Sequence, residues 1–183
     1  MVRYLLSFII CIIIWFFNIR WLIQARRKGI KSEVYIHTGF GFFFTILAVE
    51  SILALGPRLV VPGLRICGLL LYIPSAYLVF SSLHDLKQKG RSEKGDPTET
   101  STFINTGIYG RIRQPMTLGM SVWSVALILV FQSVVALVLG MISIYLFWMS
   151  ARSEADYNIR KFGDRYKTYM TRVPMWNIFR RGV

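Results

Sequence analysis

Apolar residues in this chain fall in long blocks separated by short polar stretches, the pattern of helices that cross a bilayer. The first block covers residues 4–23 and is broken near its end by Asn18 and Arg20. A polar, basic stretch follows, then a second block over residues 34–55 that stops at the breaker pair Gly56-Pro57. The third block covers residues 64–83 and contains Pro74, where the spacing predicts a kinked helix whose freed carbonyl is satisfied by neighbouring helices. After a polar connector over residues 84–115, two further blocks cover residues 116–131 and 134–149. Only Gln132-Ser133 separates them, which predicts a tight antiparallel helical hairpin. The fold class that follows is all-α: one integral membrane bundle of about five spans, 1–183 as a single domain.

Composition agrees. Of 183 residues, 54% are apolar and 17% charged, with a mean hydropathy of +0.49, whereas soluble domains are about 25% charged. Five spans of about 20 residues leave no room for a separate soluble domain. The run after Arg3 is too long for a signal sequence and reads as the first anchor. Cys11 and Cys67 both lie in apolar blocks, so neither a disulfide framework nor a metal-ligand spacing can be built from them. The net charge of +13 is unevenly placed. Eighteen Lys and Arg fall in the first and third connections and the tail, against Arg3, Arg58 and Arg65 on the other side. That asymmetry predicts an extracytoplasmic N-terminus and a cytoplasmic C-terminus. It also accounts for the charge as topology plus attraction to anionic membrane lipids, so no nucleic-acid partner is expected.

All the long polar segments then share the cytoplasmic face, and any site is expected there. In Thr106-Gly107-Ile108-Tyr109-Gly110-Arg111-Ile112-Arg113-Gln114-Pro115, the proline suits the first turn of a helix and two arginines meet the head groups. Such a segment is either an anion site built from cations and free helix N–H groups or a snorkelling basic anchor. The tail over residues 152–170 reads as an amphipathic helix on the bilayer surface, with Ala155, Ile159, Phe162, Tyr166 and Tyr169 on one face. Glu154 follows the last span closely, able to hold a cationic or hydroxylated ligand or to pair with Arg152 or Arg113. Glu50, an intramembrane acid, reads as structural, with Arg58 in reach. His37 and His84 sit at span ends as interfacial residues.

Two segments resemble the membrane-embedded methyltransferases of the isoprenylcysteine carboxyl methyltransferase and phospholipid N-methyltransferase family. Residues 106–119, Thr-Gly-Ile-Tyr-Gly-Arg-Ile-Arg-Gln-Pro-Met-Thr-Leu-Gly, are similar to the signature G-x-Y-x-x-x-R-H-P-x-Y-x-G. Glu154, then Phe162-Gly163-Asp164-Arg165-Tyr166-Lys167-Thr168-Tyr169 and Arg172-Val173-Pro174, resemble the ending E-E…F-G-x-x-Y-x-x-Y…R-V-P. The likeness covers residues 84–176 and flanks the hairpin. The departures are Gln114 for the signature histidine, Thr117 for the tyrosine, Ala155 for the second glutamate and Ser150 for an arginine four positions before the retained one.

The resemblance implies S-adenosylmethionine as cofactor, held by Ser101, Thr102, Phe103, Ile104, Tyr109, Gln114, Pro115, Met116, Thr117 and Glu154. It implies catalytic roles for Arg113 and Glu154, with Arg113 orienting an anionic group of cofactor or acceptor, and no metal. The expected partner is a lipophilic or prenylated substrate, and carboxyl O-methylation of an isoprenylcysteine-type acceptor is the first expectation. Phospholipid amine N-methylation and a non-catalytic scaffold that keeps the fold are the alternatives.

Overall fold

The computed structural model describes residues 2–53, 57–89 and 104–176. Among them are six α-helices: α1 (Val2–Arg27), α2 (Lys31–Ile52), α3 (Pro62–Lys89), α4 (Pro115–Phe131), α5 (Val134–Phe162) and α6 (Asp164–Arg172). A 3₁₀ turn, Gly107–Gly110, precedes α4. Helices α1, α2, α3 and α5 are long and apolar enough to cross a membrane, and the 17-residue α4 is the shorter apolar helix of the set. The chain is an integral membrane protein.

The helices pack in a row that does not follow chain order: α1 on α2, α2 on α5, α5 on α4, and α4 on α3. Phe43, Ile46, Leu127 and Phe147 form the core where the central helices meet. Large apolar side chains elsewhere face outward, as on α1, where Phe8, Ile12 and Phe16 are exposed to what would be lipid. With lipid as solvent, close contact between helices relies on small residues and internal hydrogen bonds. Accordingly, Ser75 donates to the Gly119 carbonyl at 2.8 Å across the α3–α4 contact. Ser124 and Ser143 are fully buried and bond back to their own helices. Pro74 sits inside α3 without ending it.

Three boundaries differ from the sequence expectation. Helix α3 starts at Pro62 and continues to Lys89, past residue 83, because the polar residues after the span still suit a helix. Helix α5 passes through residue 149 without a break and carries Glu154 on the same rigid rod as the last span. The tail is therefore not one helix over residues 152–170. It breaks at Gly163, whose φ of 60° and ψ of −138° suit glycine alone. Part of its apolar stripe packs within the protein. The break folds α6 back, and Tyr166, Tyr169 and Val173 pack inward against Ala155, Ile159 and Phe162.

The expected hairpin is present. Gln132 adopts a left-handed conformation with φ 50°, and Ser133 caps α5 by accepting the Ala136 N–H at 2.9 Å. The same turn is tied to the segment entering α3: Leu59 N–H donates to the Gln132 carbonyl at 2.9 Å. The Gln132 amide group also bonds both backbone groups of Val61, at 2.9 and 3.0 Å. Arg58 reaches Glu50, as expected, and the buried Glu50 carboxylate also accepts from the Ser133 hydroxyl.

Candidate functional site

The hairpin sets the register of the site. Counting back from Gln132 along α4 reaches Gln114 after 18 residues, about 27 Å at 1.5 Å per residue. Counting forward along α5 reaches Glu154 after 22 residues, about 33 Å. The two positions thus lie level to within about one turn or so, at the end of the bundle away from the hairpin. Their side chains meet there: the Glu154 carboxylate has the Gln114 and Asn158 amides as hydrogen-bond partners. Gln114 is itself buried, at 6% exposure, and is the residue that caps α4.

Neither expected ion pair of Glu154 forms among the described residues. Arg152 turns instead over the Trp148 ring, 4.8 Å from its centroid. Arg113 lies near enough to act electrostatically on both Tyr166 and Tyr169. Its Nε and Nη1 are buried and have no hydrogen-bond partner. Buried donors are nearly always satisfied, because leaving one unpaired costs about 1–3 kcal/mol. Among the described residues, these two nitrogens are the buried side-chain polar atoms left without a partner, and they call for a ligand.

Three tyrosines share this region: Tyr166 and Tyr169 feel both charges, and Tyr109 feels that of Glu154. Tyr169 donates its hydroxyl to the Tyr109 carbonyl at 2.5 Å, and the Tyr166 and Tyr169 rings lie 5.6 Å apart. Tyr109 bonds to Ser82 on α3. Burial holds the Tyr109 hydroxyl well above the ordinary phenol range, and the Glu154 carboxylate adds to the effect. Burial does the same at Tyr169, where Tyr166 adds and Arg113 opposes. These hydroxyls are neutral hydrogen-bonding groups across the physiological range.

The chain after α6 closes the site from the other side. Arg113 N–H donates to the Pro174 carbonyl at 3.0 Å, and Gln114 N–H to that of Met175 at 3.3 Å. The Trp176 indole donates to the Thr117 hydroxyl at 3.2 Å, which in turn donates to the Gln114 carbonyl at 3.1 Å. At the start of α4, where cations and free N–H groups are expected to form an anion site, two backbone amides are already taken. The Arg113 and Gln114 amides are already bonded, and Pro115 has none. The Arg113 side chain adds a cation whose buried nitrogens are unpaired.

Of the expected site residues, Tyr109, Arg113, Gln114 and Glu154 are brought together. Pro115 and Thr117 are fully buried under the first turn of α4, and Met116 is half-buried beside them. Ile104 is half-buried at the start of the described connector. Ser101, Thr102 and Phe103 lie outside the described residues. Asn158 and Ser82 were not singled out from sequence. Asn158 stands one helical turn after Glu154, a spacing that signals a shared face.

Sequence comparison places this geometry. The profile of the phospholipid methyltransferase family matches residues 64–165, more than half of the chain, running from α3 through α5 and including Arg113 and Glu154. No curated protein and no solved structure matches. This chain is a member of the phospholipid methyltransferase family.

Proposed function

We propose that this protein transfers a methyl group from S-adenosylmethionine to a lipophilic acceptor at the cytoplasmic face of the membrane. The observation that carries the reading is Arg113, with two buried nitrogens and no partner for them, close to the tyrosine pair that also feels the charge of Glu154. The cofactor fits that donor set: its carboxylate needs cationic donors, and its ammonium and ribose hydroxyls need an acceptor such as Glu154. When bound, S-adenosylmethionine supplies a methyl group made electrophilic by its sulfonium.

The chain's own residues then have defined tasks. Glu154, held in orientation by Gln114 and Asn158, accepts hydrogen bonds from the cofactor. Arg113 holds the anionic group of acceptor or cofactor, with Tyr109, Tyr166 and Tyr169 excluding water around it. Pro115, Met116 and Thr117 contribute shape, since the Thr117 hydroxyl is already committed within the protein. Ser101, Thr102, Phe103 and Ile104 complete the cofactor contacts in this reading. Displacement at a methyl group depends chiefly on in-line positioning, so these fixed groups supply most of the rate.

The first acceptor class is an isoprenylcysteine-type carboxylate. A carboxylate is ionised at neutral pH and attacks without losing a proton, which suits a site carrying Gln114, unable to take a proton, in place of the signature histidine. The second reading, a phospholipid amine, is favoured by the family description. It requires Glu154 to take the proton that an ammonium must lose.

Calorimetry of S-adenosylmethionine and its demethylated product with the protein in nanodiscs tests the proposal. Binding is expected, and Glu154→Ala is expected to abolish it. Methyl transfer to prenylcysteine against aminophospholipid then separates the acceptors. No binding to well-folded protein overturns the enzyme reading in favour of a scaffold.

A further inference from the structure

Asp85 lies near the end of α3, outside every motif that marks the site. It is nevertheless buried, at 7% exposure, and both its carboxylate oxygens are used. Oδ1 accepts from Lys89 Nζ at 2.6 Å, and Oδ2 accepts from the Ile108 N–H at 3.0 Å. Ile108 is the hub of the 3₁₀ turn: its carbonyl accepts the N–H groups of both Arg111 and Ile112 at 3.1 Å. Ile112, 2% exposed, immediately precedes Arg113. The other neighbour of Ile108 is Tyr109, whose side chain bonds to Ser82, one turn before Asp85 on α3. Gly107 makes this approach possible. Its φ is 63°, and a Cβ there would fall 2.1 Å from Asp85 Oδ2.

We propose that Asp85 is a positioning residue of the site, whose carboxylate fixes the Gly107–Gly110 turn against α3 and thereby sets the placement of Tyr109 and Arg113. The inference rests on the methyltransferase reading for its functional consequence but not for its structural part. Lys89 balances the charge of the anchor, and the Ile108 N–H is the contact that transmits position.

The test uses the full chain in nanodiscs, with S-adenosylmethionine affinity by calorimetry and amide hydrogen exchange over residues 107–113. Asp85→Ala is expected to weaken binding about tenfold or more and to speed exchange at Ile108. Asp85→Asn keeps an acceptor oxygen for that amide and is expected to restore most of both. Lys89→Ala, which removes only the ion pair, is expected to stay near wild type. Gly107→Ala displaces the carboxylate and is expected to reproduce the Asp85→Ala defect, and it carries the test should Asp85→Ala fail to fold. Wild-type affinity and exchange in folded Asp85→Ala, or in folded Gly107→Ala, overturn the inference. So does a Lys89→Ala defect as large as that of Asp85→Ala. If the wild type binds no S-adenosylmethionine, the methyltransferase reading fails, while the exchange data still decide whether Asp85 holds the turn.

Discussion

Glu50 and Glu154 sit at opposite ends of the same bundle, and their surroundings divide support from function. Glu50 is closed off: the Arg58 guanidinium and the Ser133 hydroxyl both reach its carboxylate. The same two residues, Arg58 and Ser133, form a short antiparallel bridge between the chain entering α3 and the hairpin. Both Glu50 carboxylate oxygens have a partner, and the result is a staple joining α2 and α5 to the segment entering α3. Glu154 has only neutral amides for company, while the nearby cation, Arg113, keeps buried donors unpaired. A buried network that is complete stabilises, and one left open marks a place for a ligand.

That contrast is sharpest under substitution. Arg58→Ala leaves the Glu50 carboxylate buried without its cation and is expected to cost about 3 kcal/mol of stability, since breaking a buried pair exposes the full desolvation penalty. Thermal melting in detergent should drop, while S-adenosylmethionine affinity of the folded fraction stays at the wild-type value. A site defect in folded Arg58→Ala would show that the two ends are coupled. Arg113→Met should act in the opposite sense. Loss of the free guanidinium is expected to reduce methyl transfer about 100-fold, the scale of deleting one preorganised charge donor. Melting should be unchanged or slightly higher, because two unpaired donors disappear with it. A clear loss of stability instead would make Arg113 a structural residue like Arg58.

The smallest effect concerns pH. Tyr109 and Tyr169 have hydroxyls raised above the 10.0 of an unfolded chain by burial. The unfolded state therefore loses these protons first, so their contribution to stability is complete below about pH 10 and declines as pH rises beyond it. Melting followed across pH 8 to about 11 should show that decline, and replacing Tyr109 with Phe should reduce it. A flat profile in the wild type would mean that the two hydroxyls are not buried.

Much of this could be read from the sequence because hydropathy blocks and a two-residue connection are local signals. The spans, the hairpin and the meeting of Glu154 with the segment before α4 all follow from them. Gly163 also carried its message, a helix-ending glycine inside a run that still looked periodic, but the apolar spacing of Phe162, Tyr166 and Tyr169 masked it. Asp85 was invisible for a different reason. With Lys89 four residues later it reads as a solvated i,i+4 pair, and only the fold brings Gly107 onto it. Likewise nothing local tells that Pro174 and Met175 consume the N–H groups of Arg113 and Gln114. Competition for backbone donors between segments 60 residues apart is a tertiary fact.

Helix α4 has 17 residues, about 25 Å of rise, against a hydrocarbon layer of about 30 Å. Its hairpin partner α5 has 29 residues, about 43 Å. Joined at a tight turn, the two rods cannot end at the same depth. Beyond the start of the short rod the long one runs on, and the Glu154 it carries meets Gln114, the residue that precedes α4. The length difference between two neighbouring helices is what lets the longer one carry its carboxylate past the end of the shorter one.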